Sequence, residues 1–212
     1  PLAPNGGWRT PLGYQVIAIN RMPLSLRKLR RITETLPAEL QGHLERVREV
    51  AIRLAERHKI DPLKVELASL AHDIYRAHDE AYLLSLAKSM NVHIAPIDEY
   101  LPIMLHGPLA AIRIKEECDI TDSDILQAVK WHTTSCPGIG KVGLIVFLAD
   151  KIETEKLSRA EYLAKIAKIA EANLESAALR YLTEDIAWRL RNDSLVHPAA
   201  IEARNDLLTL LS

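Results

Sequence analysis

The rhythm of apolar and polar positions changes once along the chain, near Pro37. Before that point the pattern is broken. Pro1–Pro23 holds four prolines, two adjacent glycines and the isolated apolar run Tyr14–Ile19, which reads as an irregular lead with a short extended segment. A basic helix is predicted at about Leu24–Leu36, carrying Arg27, Lys28, Arg30 and Arg31. Its plain reading is a solvated face, and its alternative is contact with phosphate or a partner.

From Pro37 onward the period is helical. In Ala38–Lys59 the residues His43, Val47, Val50, Ala51 and Leu54 form one stripe. Asp61-Pro62 predicts an N-cap with Pro at the first helical position. That helix carries Leu63, Leu67, Leu70 and Ala71 and ends near His72-Asp73, and a further helix is predicted over Glu80–Met90. His106-Gly107-Pro108 opens a helix to about Glu117. Thr121-Asp122-Ser123-Asp124 resembles a capping box for a helix reaching Trp131-His132. Thr133–Gly140 reads as a loop. Val142–Glu153 could be a strand by composition, but its uninterrupted length favours a buried helix. Ser158-Arg159-Ala160-Glu161 has the form of a capping box, and two or three amphipathic helices should follow, broken around His197-Pro198. The expected fold class is all-α over residues 37–212, preceded by an N-terminal extension, 1–36.

Composition agrees. Of 212 residues 48% are hydrophobic and only 5% aromatic, and Ala, Leu and Ile are abundant, which favours helix packing over a β-sandwich. The net charge of −1, from 27 basic and 28 acidic residues, argues against a general nucleic-acid partner. Cys118 and Cys136 form neither a zinc-type pair nor a disulfide framework, so a reducing cytoplasm is the expected location. No apolar run approaches the roughly 20 residues that span a bilayer, so no membrane partner is expected. No signal-peptide pattern is present. The first residue is Pro rather than Met, and the sequence is read as starting inside a longer product.

Eight histidines are present: His43, His58, His72, His78, His93, His106, His132 and His197. His58, in a charged helix end, and His93 and His197, in loop-like surroundings, read as surface or structural. His43 lies on an apolar stripe. His72-Asp73 ends one apolar helix and Asp150 ends the run Leu144–Ala149. Aspartates so flanked should be partly buried, and a buried carboxylate is costly unless paired or bound to metal. His43, His72, His106 and His132 could share metal with Asp73 and Asp150. Imidazole nitrogen and carboxylate oxygen suit Fe, Mn, Zn or Ni better than Ca. Six ligands are too many for one tetrahedral zinc and enough for two ions bridged by a carboxylate, an arrangement that would bind phosphate and acidify a water.

The order H…HD…H…H…D resembles the HD superfamily of metal-dependent phosphohydrolases. Leu70-Ala-His-Asp-Ile-Tyr-Arg76, Leu105-His-Gly-Pro-Leu-Ala-Ala111, Trp131-His-Thr-Thr134 and Phe147-Leu-Ala-Asp-Lys-Ile-Glu153 are similar to the bacterial YqeK family of symmetrical diadenosine tetraphosphate hydrolases, over roughly residues 38–190. The resemblance implies a helical bundle around a dinuclear centre, usually iron, with Mn, Co, Ni or Zn as alternatives. His43, His72, Asp73 and Asp150 would hold one ion, and Asp73 would bridge to a second held by His106 and His132. A bridging hydroxide would attack a phosphorus of the polyphosphate, giving two ADP. Asp73, Arg76 and Lys151 are the candidate catalytic residues, and Arg76, Thr133, Thr134 and Lys151 the candidate substrate contacts. The threonines could equally cap a helix end, and Arg76 could pair with a surface acid. His78 could meet a phosphate, although a surface place suits it better, and the cysteines show no nucleophile machinery.

The chain departs from the family pattern at Arg76, where Lys is common, at Ser135-Cys136, where Gly-Arg is common, and at Thr154-Glu155-Lys156, in place of Pro-Gly-Arg. These departures keep open an HD-type nucleotidase acting on other nucleotides, or a nucleotide-binding regulatory module with little turnover. The expected partner is a small-molecule nucleotide, and a homodimer is left open.

Overall fold

The computed structural model describes residues 22–212 apart from Arg159. The expected lead over Pro1–Pro23, with its run Tyr14–Ile19, lies outside the described residues except for Met22 and Pro23. Helices α1 (Leu24–Thr33), α2 (Ala38–His58), α3 (Pro62–Ala71) and α4 (Glu80–Ser89) come first. They are followed by α5 (Pro96–Tyr100), a 3-10 turn (Pro102–Leu105), α6 (His106–Glu117) and α7 (Ser123–Trp131). The chain finishes with α8 (Gly140–Ile152), α9 (Thr154–Leu157), α10 (Glu161–Ala170), α11 (Leu174–Arg191) and α12 (Pro198–Leu210). There is no strand among the described residues.

The centre of the bundle is α8. Val142 through Asp150 are all buried, and the helix packs against α2, α3, α7, α10 and α11. A helix surrounded on every side can be apolar all round, which explains why its sequence shows no amphipathic period. Phe147, Ile145 and Leu148 are fully buried within it, each stabilising the fold by roughly 1.5–3 kcal/mol. On α2 the predicted stripe faces inward: Val47, Ala51 and Leu54 are fully buried and Val50 nearly so.

The ends of the elements follow local chemistry, with two corrections. Asp61 caps α3 as expected, its carboxylate accepting the Leu63 N–H at 2.9 Å. At α7 the cap is Asp122 rather than Thr121, and its carboxylate takes the N–H groups of both Asp124 and Ile125. The box expected at Ser158 does not form. Helix α10 starts at Glu161 behind Ala160 with no side-chain cap, and the Ser158 hydroxyl instead donates to the Glu155 carbonyl at the end of α9. His58 joins the end of α2 to α10, its Nε2 lying 2.7 Å from the Ala170 carbonyl. His197 caps α12, with the Ala199 N–H donating to its Nδ1 at 3.1 Å. Helix α1 is more than a solvated face. Leu26 and Leu29 enter the core, and Arg30 spans Glu45 on α2 and Glu66 on α3 at 3.1 and 3.2 Å.

The loop after α7 holds Ser135 at φ 59°, fully buried, with its hydroxyl unpartnered. This is the position where Gly is common in the pattern the sequence resembles. A left-handed backbone costs an L-residue roughly 1–2 kcal/mol, and an orphaned buried hydroxyl costs about 1–3 kcal/mol. The entropy lost by a glycine is smaller, about 0.5–1 kcal/mol. Ser135→Gly should therefore stabilise the protein, raising its melting temperature by roughly 2–4 °C per kcal/mol gained in a chain of this size. An unchanged or lowered melting temperature would contradict that account of the loop.

Candidate metal centre

Five segments deliver the six predicted residues to one place. His43 comes from the second turn of α2, His72-Asp73 from the end of α3, and His106 from the start of α6. His132 follows α7, and Asp150 stands in the last turn of α8. His72, Asp73, His106, His132 and Asp150 are buried and His43 is half-buried.

The tautomers of three imidazoles follow from their neighbours. His72 Nδ1 lies 2.6 Å from the Ser69 carbonyl, His132 Nδ1 lies 2.8 Å from the Val129 carbonyl, and His106 Nδ1 contacts the Ile103 carbonyl. A carbonyl only accepts, so each Nδ1 carries the proton and each Nε2 presents a lone pair to the centre. Each bond reaches back three residues, which only a helical turn provides. The Nε2 atoms of His106 and His132 then stand 2.9 Å apart, lone pair against lone pair, and His72 Nε2 is buried with no hydrogen-bond partner. That arrangement repels itself unless a cation lies between the nitrogens, so this donor set suits a metal.

The carboxylates complete it. Asp73 divides its oxygens: Oδ1 lies 3.0 Å from His106 Nε2 and 3.2 Å from His132 Nε2, and Oδ2 lies 3.6 Å from both His43 Nε2 and His72 Nε2. Asp150 Oδ1 lies 3.2 Å from His43 Nε2 and 3.8 Å from His72 Nε2. Two triads have donor atoms within 4.8 Å of one another, His43–His72–Asp150 and His72–Asp73–His132, and either could hold an ion.

Burial alone would push Asp73 upward, but the neighbouring His72, His106 and His132 imidazoles hold it well below the usual carboxylate range. Burial likewise opposes ionisation of Asp150, and Lys151, His43, His72 and Lys156 overcome it. Burial also opposes a charge on His72, yet Asp73 and Asp150 raise it above the ordinary imidazole value. His132 is pushed down to about 4, chiefly by burial and by its histidine neighbours.

In the metal-free protein both His72 and His132 couple stability to pH. Between about pH 4 and 6.5 the unfolded chain binds a proton that folded His132 refuses, so stability falls as pH is lowered through that window, by on the order of 3 kcal/mol at most. His72 has the opposite sign. Its contribution is complete below about pH 6.5 and is lost as pH rises. Melting temperatures measured against pH should peak near 6.5, and a plateau from pH 4 to 8 would contradict these assignments.

Around the centre, Lys151 Nζ donates to Asp150 Oδ2 at 2.6 Å and lies over the Phe147 ring. The Thr133 hydroxyl lies 3.0 Å from His132 Nε2, so it points inward. Thr134 is buried, and its hydroxyl donates to the Ser135 carbonyl, which makes it a brace of the loop. Arg76 is exposed at the rim of an open cleft of about 430 Å³ that reaches His43 and Asp73, and it has no ion-pair partner among the described residues. His78 is also exposed, stacked on Tyr82 with ring centroids 4.5 Å apart. A second cleft, of about 200 Å³, lies beside Thr133 and Thr134 and is lined by Val92, Met104, Pro108 and Trp131.

Three residues here were not singled out from sequence. Glu153 is buried, accepts Arg46 Nε at 2.8 Å and lies 3.8 Å from His43 Nδ1. Lys156 Nζ reaches both the Asp150 carbonyl and Oδ1 at 2.7 Å. Signals existed for two of them. Glu153 follows the same buried helix that exposed Asp150 to suspicion, and Arg46 lies one turn beyond His43 on the same face. Lys156 stands in the sequence only as part of a departure from the family pattern, and its contact with Asp150 is legible only once α9 folds back.

The HD domain family matches residues 40–155. A protein of Halalkalibacterium halodurans named bis(5'-nucleosyl)-tetraphosphatase, symmetrical, is 31% identical over 166 residues, covering 78% of this chain and 87% of the relative. A Staphylococcus aureus protein of the same name is 34% identical over 131 residues, 61% of this chain and 67% of that one. A Clostridium acetobutylicum crystal structure, described as a predicted HD superfamily hydrolase involved in NAD metabolism, superposes with a TM-score of 0.80 at 26% identity. It covers 85% of this chain and 97% of the other.

Proposed function

Because the chain belongs to the HD domain family and is related to the symmetrical bis(5'-nucleosyl)-tetraphosphatases, we propose that it hydrolyses dinucleoside polyphosphates, chiefly diadenosine tetraphosphate, to two nucleoside diphosphates. The observation that carries this reading is the division of Asp73 between two pairs of imidazoles, Oδ1 toward His106 and His132 and Oδ2 toward His43 and His72. Such a carboxylate is suited to bridge two divalent ions, one with His43, His72 and Asp150 and one with His106 and His132. When bound, such a pair supplies an acidified water and neutralises charge on the polyphosphate.

The remaining work falls to the chain's own side chains. Arg76, at the rim of the larger cleft and without an ion-pair partner among the described residues, grips phosphate oxygens with its planar fork. Lys151 fixes Asp150 Oδ2 and so leaves Oδ1 to face the imidazoles. Thr133 orients a group arriving at His132. The smaller cleft, walled by Trp131, Met104, Val92 and Pro108, offers an apolar seat for a base next to the metal centre. Iron is the proposed resident metal, with Mn, Co, Ni or Zn as alternatives.

The test is to incubate protein loaded with Fe, Mn or Co with diadenosine tetraphosphate and separate the products. Two ADP are expected. Formation of ATP plus AMP, or no turnover with any of the three metals, would count against the reading. Faster cleavage of mono- or triphosphates in a nucleotide panel would favour the nucleotidase alternative.

A further inference from the structure

We propose that Lys156 is a substrate-positioning residue whose ammonium is shared between Asp150 and a substrate phosphate, so that loading the His43–His72–Asp150 group transfers it to the phosphate. This rests on the metal-centre reading above and deepens it.

Asp150 is over-committed. Its Oδ2 accepts Lys151 at 2.6 Å, while Oδ1 accepts Lys156 at 2.7 Å and faces His43 and His72 at 3.2 and 3.8 Å. The oxygen that a metal would need is thus already held by an ammonium. Two cations on one carboxylate oxygen repel strongly in a site shielded from water. The weaker-held one gives way.

The two lysines differ in how they are held. Lys151 belongs to α8, its side chain is 13% exposed, and its ammonium lies over the Phe147 ring. Lys156 sits on the one-turn helix α9, its side chain is 32% exposed, and it lines the larger cleft with Arg46 and Arg76. Arg46 is engaged by Glu153 and Glu155 at 2.8 and 3.0 Å, so it is a poor second phosphate ligand. A polyphosphate gripped by Arg76 needs another cation on this wall, and Lys156 is the one whose release leaves Asp150 still compensated.

The experiment uses the full chain, stripped of metal, with Mn²⁺ alone as one probe and ADP as the other, both followed by calorimetry. Lys156→Met should bind Mn²⁺ more tightly than wild type, because the competing ammonium is gone. Once loaded with Mn²⁺ it should bind ADP roughly tenfold more weakly, the loss expected for one charge-assisted hydrogen bond. Lys156→Arg should restore ADP binding, and Lys141→Met, at an exposed lysine beside Gly140, should change neither value. Equal or weaker Mn²⁺ binding by Lys156→Met, or undiminished ADP binding by its loaded form, would overturn the proposal. Lys156→Arg covers the case in which the Met variant folds poorly: if it too lost ADP binding, the proposal would fall. Wild-type protein that took up no Mn²⁺ would overturn the metal-centre reading together with this one. Normal uptake and turnover with unchanged values in the variant would overturn this one alone.

Discussion

Asp73→Asn is expected to leave at most one ion per chain and to lower hydrolysis by roughly a thousandfold, about 4 kcal/mol of barrier. The reason is the position of the two oxygens. Oδ1 serves His106 and His132, and Oδ2 serves His43 and His72. An amide keeps the shape but has one acceptor, and its NH₂ would donate to whichever imidazole pair it faced. It would thereby satisfy the Nε2 lone pairs that should hold an ion. The substitution removes a buried charge and adds no bulk, so the helices should survive it. Metal per chain by elemental analysis and product separation on the same sample check both halves. Two ions bound with near-normal turnover would show that Asp73 does not bridge.

Gly107→Ala should be the most damaging change that touches no metal donor. A Cβ at this position would come within 2.7 Å of the Lys130 carbonyl oxygen and 3.0 Å of the Val129 carbonyl oxygen, both backbone atoms of α7. Neither can swing aside as a side chain would, so α6 and α7 must separate. The cost should be about 2–3 kcal/mol of stability, within the range for overpacking. The Val129 carbonyl is also the group that fixes His132 Nδ1, and His106 is the residue before Gly107. Separation of the helices therefore pulls the 2.9 Å pair of Nε2 atoms apart. Metal affinity should fall at least as far as for loss of a supporting hydrogen bond, about 10- to 100-fold. Chemical denaturation and metal titration read the two effects separately. A variant with wild-type stability would show that the helices do not meet as closely as described.

The stripe on α2, the Asp61-Pro62 start of α3 and the buried run of α8 were readable in the sequence because each depends on residues within one or two turns. The burial of Asp73 and Asp150 followed from their apolar flanks alone. Which histidines would join them did not follow from spacing, since His106 and His132 reach Asp73 through the crossing of α6 and α7. That link needed the resemblance in His-Gly-Pro and His-Thr-Thr. The Thr121 and Ser158 caps were misplaced for a common reason. Several adjacent residues could each accept an N–H, and tertiary packing chose where the helix began. The turn Pro102–Leu105 was also missed, being too short for a period to show, yet its Ile103 carbonyl fixes the His106 ring. The interaction of Lys156 with Asp150 depends on the same kind of one-turn element, α9.

His72 and His132 each donate Nδ1–H to a carbonyl in the final turn of the helix that precedes them, Ser69 for α3 and Val129 for α7. Carbonyls there have run out of amide partners, so the imidazoles double as C-terminal caps. Whatever grips Nε2 therefore also pins a helix end against fraying. Occupancy of the centre should accordingly be legible in backbone hydrogen exchange. The last amides of α3 and α7 would slow by a larger factor than those of α12, which shares no donor with the centre.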